Sequence, residues 1–407
     1  MDENKEENHL MEKPAIEGGK PVRKAFLPYG TQWFDEKEIN EVVDALKSNW
    51  ITTGPKMEQF EQKFKNEIGS KYAVALNSGT AALHVSTSSI NINPGDEVIT
   101  TPLTFVASAN CVIYRGGTPV LADIKKDTYN IDPIEIEKKI TPKTRAIIPV
   151  HFTGQPCDMN EILEIAEKHD LVVIEDAAHA IDAKYHSKRV GTISPLTTFS
   201  FHPVKNMTTA EGGMVTTNDD ELYEKLLMFR THGISKDAVK RFGKSGGYYY
   251  DMQYLGYRYN LSELHAALGI QQLNKLEGFQ KRRRDIIKIY EQELADIEEI
   301  TLPFVKPNIR HSWHLYVIQL NLEKLKVDRD YIFKALREEN IGVNVHYIPV
   351  HYHSYYKQHF GYNKGILPNV EWLFPRLLTI PLFPRMEESD ILDVIKAIKK
   401  IINYYKK

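Results

Sequence analysis

The chain has 407 residues, of which 42% are apolar and 26% charged, and its net charge is −2. This suits a soluble globular protein with a large core and two to three domains, and it excludes an electrostatic drive toward nucleic acid or an anionic membrane. No apolar run approaches transmembrane length, the acidic, polar Met1–Asn8 stretch is unlike a signal peptide, and Cys111 and Cys157 make no disulfide framework, which points to the cytoplasm.

In chain order, residues 1–27 read as a flexible lead-in. Asp35 to Ser48 has helical spacing, with Ile39, Val42, Val43 and Leu46 on one face, and Trp50 to Pro55 is rich in turn residues. From about Glu58 to Leu276, short β-branched runs alternate with helical patterns. Examples of the runs are 97–101, 119–122, 146–150 and 213–217. That alternation predicts an α/β fold with a mostly parallel, doubly wound sheet. A long basic-rich helix is expected from about Leu261 through Tyr290. From about Ile300 the pattern becomes a smaller α+β unit, with strands at 313–320 and 342–347 and a closing helix at 387–405. The expected division is 1–27, a large domain 28–276 and a small C-terminal domain 277–407.

Three segments carry chemistry. Tyr72–Leu76 is an apolar strand that runs through Asn77 into Ser78-Gly79-Thr80 and a helical pattern. Glycine allows close backbone approach there, and free N–H groups at a helix start bind a dianionic phosphate. Leu171–Asp176 is an apolar strand ending in a carboxylate. Asp176 can pair with a protonated pyridine nitrogen and keep the ring an electron sink. The run from Thr198 to Asn206 holds Ser200 and ends its strand at His202-Pro203, which puts Lys205 on a tight loop. Partial burial lowers a lysine pKa and readies the amine for Schiff-base chemistry. Each signal alone has an ordinary explanation: a solvated lysine, a strand-end salt bridge, a helix cap. All three at strand ends of an α/β pattern, where open sheets bind ligands, point to a pyridoxal 5′-phosphate (PLP) enzyme.

At these residues the chain resembles the DegT/DnrJ/EryC1/StrS family of PLP-dependent sugar aminotransferases. The resemblance rests on Asn77–Leu83, Glu175–Ala180, Phe199–Asn206, Glu211-Gly212-Gly213, 256–269 and Ile380–Pro384, and spans nearly the whole chain from about Tyr29. It implies a fold-type I PLP-dependent aminotransferase. It implies that Lys205 holds the cofactor covalently and moves the proton, that Asp176 partners the pyridinium, and that His179 lies beside the ring. It implies that Phe105 stacks on the ring and that Ser78, Gly79, Thr80 and Ser200 form the phosphate site. Asn260 would reach the phosphate from a neighbouring subunit. The chain reads Gly256-Tyr257-Arg258-Tyr259-Asn260 where many members read Gly-Tyr-Asn-Tyr-Arg, so Arg258 and Asn260 share or exchange that duty. Dehydratases of the same fold carry histidine at the lysine position, so Lys205 favours transamination.

The resulting expectation is a homodimeric aminotransferase acting on a nucleotide-linked 4-keto sugar. L-glutamate would be the donor, 2-oxoglutarate the by-product and pyridoxamine 5′-phosphate (PMP) the intermediate form of the cofactor. Arg230, Arg258 and Lys244 are candidates for the substrate diphosphate. The competing readings are a non-enzymatic regulator that keeps the fold, and a transaminase for a cyclitol or a 3-keto sugar. The regulator needs no electron sink, so Lys205 and Asp176 argue against it. His346 to His353 matches no closed zinc spacing and, by the resemblance, is a substrate-proximal loop. Lys244–Tyr250 reads equally as a surface loop or an aromatic lid, and Lys281–Arg284 as a solvated helix face.

Overall fold

The computed structural model describes residues 12–235 and 250–407. Seven strands form the main sheet: β1 Tyr72–Leu76, β2 Glu97–Thr100, β3 Thr118–Leu121, β4 Thr144–Ile148, β5 Val172–Asp176, β8 Leu196–Ser200 and β9 Gly213–Thr217, with the two-residue strands β6 Lys184–Tyr185 and β7 Lys188–Arg189 between β5 and β8. The order is β1-β9-β8-β5-β4-β2-β3. The expected mostly parallel sheet is present, and β9 alone runs against both its neighbours. A parallel return needs a crossover, usually a helix. The β8–β9 connection contains none, so β9 turns back beside β8. Lys205 lies on that connection.

Alternation along the strands feeds a core on each face. In β1, Ala73 and Ala75 pack with Phe60, Phe64, Phe199 and Phe201, while Val74 and Leu76 pack with Leu83, Val85, Val112 and Phe229 on the other side. Helices α1 Glu36–Lys47, α2 Pro55–Ile68, α3 Gly79–Ser89 and α4 Ala107–Ile113 precede β3. Asp35 and Glu38 form a capping box that starts α1. The apolar face read from the spacing is only partly covered: Ile39 is 51% and Leu46 57% exposed and Val42 and Val43 are half-buried, while Glu38 and Ala45 face inward. Glu38 is drawn in by Gln272 Nε2 at 2.7 Å and Lys275 Nζ at 2.5 Å.

Helix α2 begins after Gly54, which has no side chain to cap it. The buried carboxylate of Glu263 does so instead, accepting from the N–H groups of Lys56 at 2.8 Å and Met57 at 2.9 Å. Charge-assisted caps of this kind contribute about 1.5–3 kcal/mol each. Glu263→Ala is expected to lower stability by about 3 kcal/mol at neutral pH, seen as an earlier urea midpoint with an unchanged slope.

The helix Glu263–Leu294 leads from the main sheet to a second, antiparallel sheet of β10 Ile300–Thr301, β12 Tyr316–Leu320 and β13 Leu377–Ile380, while β11 Ile309–Arg310 pairs with β6. The strand expected at 342–347 is irregular and keeps only an isolated bridge from Asn344 to Thr379. Its residues 344–347 turn into the cleft described below, and β13 takes the sheet position. The expected flexible lead-in is packed from residue 12, and residues 1–11 lie outside the described residues. Buried Glu339 accepts from the N–H groups of Ala15 and Val22 at 2.7 and 2.8 Å, Arg23 pairs with Asp390 and Asp393, and Leu27 bridges Ile341. Arg283 departs from the expected solvated face. It is buried and donates to the carbonyls of Trp313, His314 and Leu382, and burial pulls its guanidinium down to about 9. Among the described residues no helix is long and apolar enough to cross a membrane.

Candidate active site

A cleft of about 420 Å³ opens where β1, β5 and β8 end, facing the C-terminal unit. It holds Ser78, Gly79, Thr80, Phe105, Asp176, His179, Ser200 and Lys205 together, every expected site residue except Asn260. The volume suits a small cofactor and part of its substrate.

The α3 end of the cleft is built for an anion. Ser78 is extended and caps the helix, its Oγ accepting from Ala81 N–H at 3.0 Å while its carbonyl accepts from Ala82 N–H at 3.1 Å. The N–H groups of Gly79 and Thr80 are left without a partner inside the helix. A Cβ at Gly79 would stand 2.8 Å from Ser200 Cβ. Only glycine therefore lets this turn close on the end of β8 and keep the Ser200 hydroxyl beside the free amides.

In the middle, strand alternation separates the two carboxylates of Glu175-Asp176. Glu175 turns into the protein, where it meets His151 Nε2 at 2.8 Å, Thr197 Oγ1 at 2.9 Å and Ser194 N–H at 3.1 Å. Asp176 turns into the cleft, buried, accepting from Ser108 Oγ at 2.6 Å on Oδ2 and from Ala178 N–H at 3.1 Å on Oδ1. The ring of His179 is buried, with Nε2 3.0 Å from Tyr347 Oη and Nδ1 unpartnered. Burial, then the charge of Lys205, holds this imidazole well below its ordinary range. Phe105 stands across the cleft, 59% exposed.

Lys205 reaches the cleft from its loop, and burial pulls its amine down to about 8, with the Asp176 charge opposing. The free amine is the nucleophile toward an aldehyde. Capture of added aldehyde cofactor by the empty protein is therefore expected to slow about tenfold per pH unit below pH 8 and to level off above it. Stopped-flow absorbance would follow it.

The C-terminal unit supplies the facing wall with His314, Asn344, His346 and Tyr347, and Tyr29 joins them from the N-terminal segment. Burial pushes His346 down to about 3, and His314 also lies well below its ordinary range. Burial likewise raises the phenols of Tyr29 and Tyr347. Among the described lining residues Lys205 is the one lysine or arginine. His346 and Tyr347 were signalled by the run 346–353, and no cluster of metal-ligand type occurs among the described residues. Ser108 and His314 carry no sequence signal, because only tertiary packing brings them here.

Asn260 does not line the cleft of its own chain. Its amide bridges Thr231 Oγ1 and Thr53 Oγ1, both at 3.1 Å. Arg230, a candidate for the diphosphate, is committed elsewhere: it is buried against Glu61 at 2.6 Å and the Ala75 carbonyl at 3.1 Å. Arg258 is exposed and outside the cleft lining. Lys244 and the loop 244–249 lie outside the described residues.

The DegT/DnrJ/EryC1/StrS aminotransferase family model matches residues 32–399. The spore coat polysaccharide biosynthesis protein SpsC of Bacillus subtilis is 46% identical over 381 residues, covering 93% of this chain and 98% of SpsC. Among solved structures, Helicobacter pylori PseC, an aminotransferase of pseudoaminic acid biosynthesis, is 30% identical at a TM-score of 0.86, covering 94% of this chain and 100% of PseC. The Streptococcus pneumoniae protein Spr1654 superposes in its PLP-form (TM-score 0.87, 31% identical) and its PMP-form (0.88, 32%), each covering 93% of this chain and 99% of Spr1654.

Proposed function

This chain belongs to the DegT/DnrJ/EryC1/StrS aminotransferase family, and we propose that it transfers the amino group of L-glutamate to the keto carbon of a nucleotide-linked 4-keto sugar, using PLP. The observation that carries the reading is the convergence of Lys205, Asp176 and the open first turn of α3 in one cleft. The residues fit the cofactor: an anion cradle at one end, a buried carboxylate in the middle, and an amine of lowered pKa on a loop. When bound, PLP supplies the electron sink and carries the amino group between the two half-reactions. The amides of Gly79 and Thr80 and the Ser200 hydroxyl would hold the phosphate. Asp176 would keep the proton on the ring nitrogen. The neutral His179, anchored by Tyr347, and Phe105 would hold the ring between them. Lys205 Nζ would hold the cofactor covalently at rest; once the incoming donor amine displaces it, the freed amine would take one proton off the donor carbon and, in the second half, deliver one to the sugar carbon.

A second copy of the chain completes the site in this reading. Asn260 is turned away from its own cleft, and the N-terminal part leaves Trp33, Ile39, Leu46, Trp50 and Ile51 exposed, an apolar surface that a partner would cover. The two cysteines are buried and free, in keeping with a cytoplasmic protein.

The test is absorbance of the purified holoenzyme with L-glutamate, followed by candidate ketones. Bleaching of the visible band by glutamate and its return with a nucleotide-linked 4-keto sugar, yielding an amino sugar by mass spectrometry, is the expected result. Return of the band only with a free cyclitol ketone or a 3-keto sugar would overturn the substrate assignment.

A further inference from the structure

The carboxylate of Asp176 does not stand alone. Ser108 Oγ lies 2.6 Å from its Oδ2 and Thr104 Oγ1 lies 2.8 Å from Ser108 Oγ. All three side chains are buried. The donors in this row are settled by counting protons. An ionised carboxylate only accepts, and a hydroxyl has one hydrogen to give. Ser108 spends its hydrogen on Asp176. The alternative acceptor, the Phe105 carbonyl at 3.3 Å, is longer and uncharged. Thr104 must then be the donor to Ser108. The row is directional, Thr104 to Ser108 to Asp176, and each link polarises the next.

The placement along the chain adds to this. Thr104 and Ser108 flank Phe105, the aromatic ring on the cleft. One five-residue segment, 104–108, thus supplies both the ring that faces the cleft and the hydroxyls that grip the carboxylate. From this geometry we infer that Ser108, backed by Thr104, is a positioning residue for the cofactor. It holds the Asp176 carboxylate in the orientation that pairs with the pyridine nitrogen, and it ties that orientation to the place of Phe105. The inference rests on Asp176 being the ring partner, as proposed above. Local helix capping does not explain the contact, because Ser108 reaches 68 residues along the chain to the end of β5.

The test is the PLP dissociation constant of the purified protein, measured by absorbance titration for wild type, Ser108→Ala, Thr104→Val, Asp176→Asn and the double variant Ser108→Ala/Asp176→Asn. Melting temperatures would be read in parallel. Loss of a hydrogen bond to a buried charge is expected to weaken PLP binding of Ser108→Ala on the order of tenfold, while the melting temperature of the cofactor-free protein falls by only about 2–4 °C. Ser108→Thr, which keeps the hydroxyl, is expected to bind within about twofold of wild type. Thr104→Val should lose less than Ser108→Ala, because Ser108 keeps its own donor. In the Asp176→Asn background the Ser108→Ala loss should shrink several-fold, the signature of one shared interaction. If Asp176→Asn loses PLP while Ser108→Ala binds as wild type, the inference fails and the Asp176 assignment stands. An equal Ser108→Ala loss in both backgrounds also overturns it, since Ser108 would then act by another route. If Asp176→Asn itself binds PLP as wild type does, the ring-partner reading has failed and the inference with it. Should Ser108→Ala not fold, Thr104→Val and the same cycle against Asp176→Asn carry the test.

Discussion

Lys205→Ala is expected to reduce glutamate-dependent amination of the keto sugar by at least about 10³-fold, the upper part of the range for losing a positioned proton-transfer group. The loss has two sources. In the proposed function the amine on the β8–β9 loop is the covalent anchor for the cofactor, and it is the one lysine or arginine among the described residues lining the cleft. Its acidity also matters: at about 8 it gives and takes a proton near neutral pH, which an ordinary lysine does poorly. Lys205→Arg should fare no better, because a guanidinium stays protonated and cannot form the imine. The measurement is 2-oxoglutarate release with the keto sugar as acceptor, alongside the melting temperature. A folded Lys205→Ala protein retaining more than a tenth of the rate would refute the assignment.

Asp176→Asn is expected to weaken PLP affinity by about 10²–10³-fold, in line with the roughly 3–5 kcal/mol lost when one partner of a buried pair is removed. The side chain is buried, and its two oxygens are held by Ser108 and by Ala178 N–H, so the charge is delivered at one place rather than spread over rotamers. Asparagine keeps the shape and loses the charge. Asp176 also opposes the burial of Lys205, so the variant should carry a lysine amine still further below its usual range. That shift would appear as a lower midpoint in the pH dependence of cofactor capture. Affinity within about threefold of wild type would count against a ring partner at this position.

The sheet and its helices were legible because their signals are local. Strand runs such as Tyr72–Leu76 and Val172–Asp176, and the cap at Ser78, depend on neighbours in sequence. The site residues at strand ends could be read for the same reason, since topology places such ends together. What escaped depends on distant partners. Ile39 and Leu46 belong to a clean helical stripe, yet Lys275 and Gln272 pull Glu38 inward and leave these two ends of the stripe exposed. Arg283 sits in a basic run with every mark of a solvated face, and three carbonyls far along the chain bury it. Arg230 looked available to a diphosphate until Glu61 claimed it. The expected strand at 342–347 has strand-like composition but gives its last four residues to the cleft.

The helix Glu263–Leu294 has 32 residues and so extends about 48 Å. Its early apolar residues, Ala266, Ile270 and Leu273, belong to the core under the main sheet, and its late ones, Ile286, Tyr290 and Leu294, to the core of the C-terminal sheet. Neither core can dissolve without baring half of one continuous rod. Heating should therefore melt the two sheets as one cooperative unit, a single calorimetric peak whose van't Hoff and calorimetric enthalpies agree. The same rod makes the angle between the cleft's two walls a matter of bending stiffness, with no loose linker at that crossing to absorb the motion.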